Sequence, residues 1–249
     1  MKLPKKSLER NLFTSGSRLI YAVDEGGMGC LAGPVVVCAV AFKKKFFDRR
    51  HKKLHWLRDS KLLLAHQREE YARQLTSDKN IKFQVSYVYP KTIDQLNIYN
   101  AARFAMKRAI NKLSGSCRSL PHGYSINFRR RFPGSSSCEP SPLCPGVTSR
   151  APPLIKSIVL VDGKTKIRGL KMEQLPIVKG DRKVFAIACA SIIAKVARDR
   201  TMVRLAKKYP QYGLEKHKGY PTKLHKAMHA KHGICRIHRK SFKPVAKLL

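Results

Sequence analysis

Only 15 Asp and Glu stand against 52 Lys and Arg in a chain of 249 residues. Four of those scarce carboxylates sit where apolar runs stop. Residues 19–23 end in Asp24-Glu25 and the turn Gly26-Gly27-Met28-Gly29. Residues 158–161 end in Asp162-Gly163, and 175–178 lead into Lys179-Gly180-Asp181. A carboxylate at the end of a buried run is costly unless it is paired or holds a metal. On an extended backbone, Asp24 and Glu25 point to opposite sides. Four carboxylates gathered beyond strand ends would repel one another unless divalent cations are shared among them. Hard cations such as Mg2+ or Mn2+ take oxygen ligands. Two such ions about 3.5–4 Å apart would stabilise the attacking and leaving oxygens of an in-line phosphoryl displacement. Taken singly, each acid has a plainer reading as a solvated turn or a turn cap. It is the set of four that points to chemistry.

The elements that must position them are legible in outline. Residues 19–23 and 35–42 are β-branched and apolar, and Gly33-Pro34 between them predicts an antiparallel hairpin. A helix is expected over 62–75, with Asp59 or Ser60 as N-cap. The alternation of Ile81, Phe83, Val85, Tyr87 and Tyr89 predicts a strand that Pro90 ends. Helical spacing over 92–113 predicts one helix, and the Ala-rich stretch 184–206 a long, largely buried one. Short elements follow, among them a strand at 175–178 and a helix at 222–231. Residues 114–153 are rich in Ser, Pro, Gly and Arg and hold Cys117, Cys138 and Cys144. They read as a disordered surface insertion, and with no C-x2-C pair a zinc knuckle there is rejected.

A net charge of +37 makes nucleic acid the expected partner, since self-repulsion on that scale calls for a polyanion. No run approaches the length of a membrane span and no signal-peptide core is present, so neither membrane association nor secretion is expected. Scattered cysteines fit a reducing intracellular compartment. Residues 1–18, basic with Ser and Thr between the cations, read as a separate extension with the composition of an organellar targeting segment. A mitochondrial location is expected from them, with the nucleus as the alternative.

The order of motifs resembles the ribonuclease HII (type 2 ribonuclease H) family. The resemblance rests on residues 23–29 with 31–35, on Asp59-Ser60-Lys61, 93–98, Val161-Asp162-Gly163, 178–181, 190–200, 209–213, Lys216-His217-Lys218-Gly219-Tyr220, and His238-Arg239-Lys240-Ser241-Phe242. It implies a ribonuclease H-like α/β fold over residues 19–249: a five-stranded mixed sheet flanked by helices, with helical C-terminal elements. It implies an endoribonuclease that cuts the RNA strand of RNA–DNA hybrids by two Mg2+ or Mn2+ ions, leaving 3′-hydroxyl and 5′-phosphate ends. The family's catalytic, metal-holding carboxylates fall on Asp24, Glu25, Asp162 and Asp181. Its substrate contacts fall on Gly27, Met28, Gly29, Lys61, Lys179, Lys195, Arg198 and Tyr220, the tyrosine packing on the sugar. The family's Gly-Arg-Gly is Gly27-Met28-Gly29 here. The glycines are kept, but Met lacks the guanidinium that grips a phosphate in two places, which argues against a strict preference for a single embedded ribonucleotide. The resemblance is compatible with a monomer or with accessory subunits.

Smaller constellations have plainer readings. His225 and His229 share a helix face that would suit zinc. However, His238 belongs to a family motif and Gly233 ends the helix before Cys235, so packing is preferred. Ser60-Lys61 reads as a helix cap beside a phosphate-facing Lys, and Asp94 and Asp199 as capping or ion-pair partners. The competing function is a catalytically weak or inactive RNA-binding component of a large ribonucleoprotein. Retention of all four carboxylates argues against it.

Overall fold

The computed structural model describes residues 3–49, 54, 57, 60–115 and 156–248. Most of the insertion expected at 114–153, together with Asp59 and Trp56, lies outside the described residues. In order come α1 (Ser7–Thr14), β1 (Leu19–Gly26), β2 (Val35–Lys43), α2 (Lys44–Phe47), α3 (Ala65–Ser77), β3 (Ile81–Val88), α4 (Pro90–Leu96) and α5 (Ile98–Leu113). After these follow β4 (Ser157–Asp162), β5 (Glu173–Ile177), α6 (Gly180–Lys183), α7 (Phe185–Lys208), α8 (Leu214–His217), α9 (Lys223–His232) and α10 (Lys243–Ala246).

The strands form one mixed sheet in the order β3-β2-β1-β4-β5. β1 pairs antiparallel with β2 and parallel with β4, and β4 runs parallel to β5. The alternation of β1 divides the core. Ile20 and Ala22 join the layer with α7, whereas Tyr21 and Val23 join the layer with α5. Both faces of the central strands are covered, which is why β1 and β2 read as continuous apolar runs.

Three local expectations are revised. The helix expected from 62 begins at Ala65, because Leu64 takes the N-cap position and the Gln67 side chain accepts from its N–H at 3.0 Å. Ser60 instead sets its hydroxyl 3.0 Å from that of Ser191. Pro90 does not merely end a strand; it opens α4, where its missing N–H costs nothing. The single helix expected over 92–113 is broken at Asn97, whose φ is +62° and whose side chain accepts from Asn100 N to cap α5.

The N-terminal residues are not a detached extension. Glu9 is fully buried, and its Oε1 accepts from Ala186 N at 2.8 Å in the first turn of α7. Phe13 is buried in the α7-side core, and Lys5 N donates to Lys183 O. Deleting residues 1–16 should therefore cost about 3–5 kcal/mol, from one buried aromatic ring and one lost buried hydrogen bond. The melting temperature should fall by roughly 10 °C in calorimetry, and an unchanged melt would mean that α1 is dispensable.

Candidate active site

The parallel register aligns Val23 with Val161, so Asp24 and Asp162, the next residue of each strand, lie side by side at the carboxyl ends of β1 and β4. Ligands bind there in open α/β sheets. Both side chains follow the α7-facing positions, whereas Glu25 follows Tyr21 and Val23 toward α5. The expected divergence of Asp24 and Glu25 is thus observed.

Each carboxylate is held by local geometry. Asp24 is buried, accepts from Glu25 N at 2.7 Å on Oδ1, and is bonded by the Ser191 hydroxyl. Asp162 Oδ1 accepts from Gly180 N at 2.7 Å. That bond ties the end of β4 to the turn that carries buried Asp181 in α6. Gly180 leaves no room for a side chain: a Cβ would come within 3.1 Å of Asp162 Oδ1 and 2.5 Å of Ile187.

Crowding is visible in the proton affinities. Burial, and then Glu25 and Asp162, push the Asp24 carboxyl well above the usual range. Burial, and then Asp162, push Glu25 up to about 7, against the pull of Arg103 and Lys61. Such raised groups favour the protonated folded state. Their stabilisation is complete below an ordinary carboxyl pKa and is lost as pH rises through about 7 for Glu25. In EDTA the melting temperature should accordingly fall between about pH 5 and pH 8, and Mn2+ should restore it at the upper end. A flat profile without metal would show that these carboxyls do not repel one another.

The glycine turn after β1 rests on α7. Gly27 has φ +91°, and a Cβ there would run into Nε and Cδ of Arg198. Arg198 is fully buried, and its guanidinium donates to Pro34 O, Ala32 O and Lys218 O at 3.3, 3.3 and 2.9 Å. Arg239, equally buried, donates to Gly33 O at 3.1 Å and Met28 O at 2.9 Å. Leu31 N and Gly33 N reach Gly219 O and Ile237 O. Two interior cations thus pin residues 27–34 between the 216–220 loop and the 237–239 segment.

This placement corrects one expectation. Arg198 is buried on backbone carbonyls and does not face solvent as a phosphate contact would. Of the other expected substrate contacts, Tyr220 is partly exposed, with Lys195 Nζ 5.3 Å and Arg198 Cζ 5.6 Å from its ring centroid. Lys195 also pairs with Asp199 at 2.8 Å, so Asp199 is the ion-pair partner that the sequence suggested. Asp94 accepts from Lys240 N, Ser241 N and the Ser241 hydroxyl, holding the C-terminal motif. Lys61 and Lys179 are exposed, Lys179 in the left-handed region at φ +56°. Gly29 is exposed, and Met28 packs its side chain on the α5-side core. A groove of about 1730 Å3 between α3, α7 and the 216–220 loop is lined by Arg68, Arg73, Lys195, Arg204, Lys216 and Lys218. Sequence reasoning assigned no site role to Ser191, Arg103 or Arg239. Ser191 left a signal as the lone hydroxyl in the apolar first half of α7, and Arg239 as part of the motif at 238–242.

Residues 22–120 and 151–245 match the family model described as Ribonuclease HII. The chain belongs to the ribonuclease HII family. It is 38% identical over 235 residues to the Ribonuclease HII of Caldicellulosiruptor saccharolyticus, covering 94% of this chain and 92% of that protein. The structure of the PCNA:RNase HII complex from Archaeoglobus fulgidus matches with a TM-score of 0.62 at 25% identity, over 92% of this chain and 96% of that one. Bst-RNase HIII, solved in complex with Mn2+, shares the fold with a TM-score of 0.62 at 16% identity, over 94% of this chain and 70% of that one. The expected five-stranded mixed sheet flanked by helices is therefore the ribonuclease HII fold. Ribonuclease HII is a metal-dependent nuclease family, and membership favours the enzyme over the ribonucleoprotein reading. The mitochondrial expectation, with its nuclear alternative, is overturned. The similar ribonucleases HII are bacterial, and the N-terminal residues that suggested targeting are part of the packed fold.

Proposed function

We propose that this ribonuclease HII cuts the RNA strand of RNA–DNA hybrids with Asp24, Glu25, Asp162 and Asp181 holding two divalent cations, Mg2+ or Mn2+. The observation that carries this is the mutual crowding of Asp24, Glu25 and Asp162 at adjacent strand ends. An all-oxygen, acid-only donor set fits a hard cation, and buried acids held together against their own repulsion call for one. When bound, the ions supply charge neutralisation at the scissile phosphate and activation of the attacking water. The residues supply position. Asp162 spends Oδ1 on Gly180 N and would hold a cation through its remaining oxygen, and Ser191, backed by Ser60, orients Asp24. Asp181 would hold the second ion or assist departure of the product. Tyr220 offers a ring face to the sugar, Gly27, Met28 and Gly29 bring backbone close to the ribose, and Lys61, Lys179 and Lys195 face phosphates. The enzyme acts as a monomer, and a PCNA-type clamp is the candidate accessory partner.

The test compares a long RNA–DNA hybrid with a DNA duplex carrying one ribonucleotide, each with Mg2+ or Mn2+. Metal-dependent cutting of the long hybrid is expected, with weaker cutting at the single ribonucleotide. Met28→Arg should narrow that gap, because a guanidinium is too polar to stay on the α5-side core that Met28 covers, and turned outward it regains the bidentate phosphate contact. Tight binding without cleavage of either substrate would return the case to the ribonucleoprotein component.

A further inference from the structure

A second set of ligand-type side chains lies outside the carboxylate site. His225 and His229, one turn apart on α9, and His238, from the C-terminal segment, are all buried. Each turns a ligand atom toward the others within 4.8 Å. We propose that these three histidines hold a zinc ion.

Three observations carry the site. His225 Nε2 and His238 Nε2 are 3.3 Å apart. That is long for a hydrogen bond, but it matches the edge of a tetrahedron, roughly 3.3–3.4 Å, for nitrogens about 2.0–2.1 Å from zinc. His229 Nε2 is buried with no hydrogen-bond partner, in a side chain that is only 3% exposed. An orphaned acceptor there costs about 1–3 kcal/mol unless something binds it. Lastly, His225 Nδ1 lies 3.0 Å from Tyr220 O. An N–H donated to a backbone carbonyl is how metal-bound imidazoles are usually oriented, and it leaves Nε2 as the ligand.

Two proton arrangements compete. Without an ion, Cys235 N donates to His238 Nδ1 at 3.0 Å, and His238 Nε2–H donates to His225 Nε2. His229 then stays unsatisfied. With an ion, His238 Nδ1–H turns to Cys235 O, 3.3 Å away, Cys235 N–H gives up Nδ1 as its acceptor, and all three Nε2 atoms are used. Cys235 Sγ lies 3.4 Å from His238 Nδ1, on the other side of that ring, so water completes the coordination. Neutral imidazole nitrogens without carboxylates select zinc over Mg2+ or Mn2+. The ion would join α9 to the C-terminal segment and, through His225, to the backbone of the loop that carries Tyr220.

The test uses untagged full-length protein. After zinc reconstitution and dialysis against Mg2+, elemental analysis should find about one zinc per chain. Zinc-free protein given Co2+ should develop the intense visible bands of tetrahedral cobalt. The zinc form should melt at least about 5 °C above the zinc-free form. His229→Leu, with His229→Gln as a second variant should the first misfold, should lower zinc retention at least about tenfold and abolish the cobalt bands. Mn2+-dependent hybrid cleavage should remain in both variants. Zinc below about a tenth per chain in the wild type, or zinc unchanged in a folded His229 variant, overturns the site.

Discussion

Asp24→Asn is expected to lower metal-dependent hybrid cleavage by on the order of 10^3-fold or more, while raising the melting temperature of the metal-free protein. Both effects come from one cause. Asp24 sits buried beside Glu25 and Asp162, which disfavour its charge. An amide keeps the shape and still accepts from Glu25 N but needs neither a buried charge nor a bound proton. The folded state gains because that cost is removed, and catalysis fails because a cation loses a ligand. Activity assays and calorimetry in EDTA check the pair of results together. Loss of activity with a lowered melt would mean that the substitution damaged the fold, and retained activity would remove Asp24 from the metal site.

Arg198→Met should destabilise the protein by about 3–5 kcal/mol and reduce cleavage along with it. Two effects oppose each other. A Met of similar length relieves the burial of a charge, and replacing buried ionic groups with apolar ones is sometimes stabilising. Here, however, three carbonyls, those of Ala32, Pro34 and Lys218, would each lose a donor. At about 1–3 kcal/mol for each buried orphan, the loss exceeds the relief. Those carbonyls belong to the turn after β1 and to the loop before Tyr220, so the damage reaches the site. Denaturant unfolding measures the first effect. A stability within about 0.5 kcal/mol of wild type would show that the clamp is dispensable.

Why some features were legible and others not follows from the range of the interactions. The apolar runs of β1, β2 and β4 are buried on both faces, so their composition announced strands. The carboxylates closing β1 and β4 stood out because the chain has so few acids. Period and composition are local properties, and the positions of Asp24, Glu25, Asp162 and Asp181 at run ends needed nothing else. The break at Asn97 was hidden because the apolar spacing continues across it. The start of α3 was misplaced because Ser60 bonds Ser191, 131 residues away.

By itself, then, the sequence determined the strands, the acids at their ends, the motif order of ribonuclease HII and the basic character that suits a polyanion. Tertiary structure decided what charge and polarity mean at each position. Arg198 and Lys195 are three residues apart on one helix, yet one is sealed onto backbone carbonyls and the other lies beside the Tyr220 ring. Glu9, in a stretch with the composition of a targeting segment, receives the N–H of Ala186 inside the core. His225, His229 and His238 converge only because the C-terminal segment folds back along α9. A residue's charge is written in its type, but its desolvation and partners are set by chain segments far away in sequence, and those only the fold brings together.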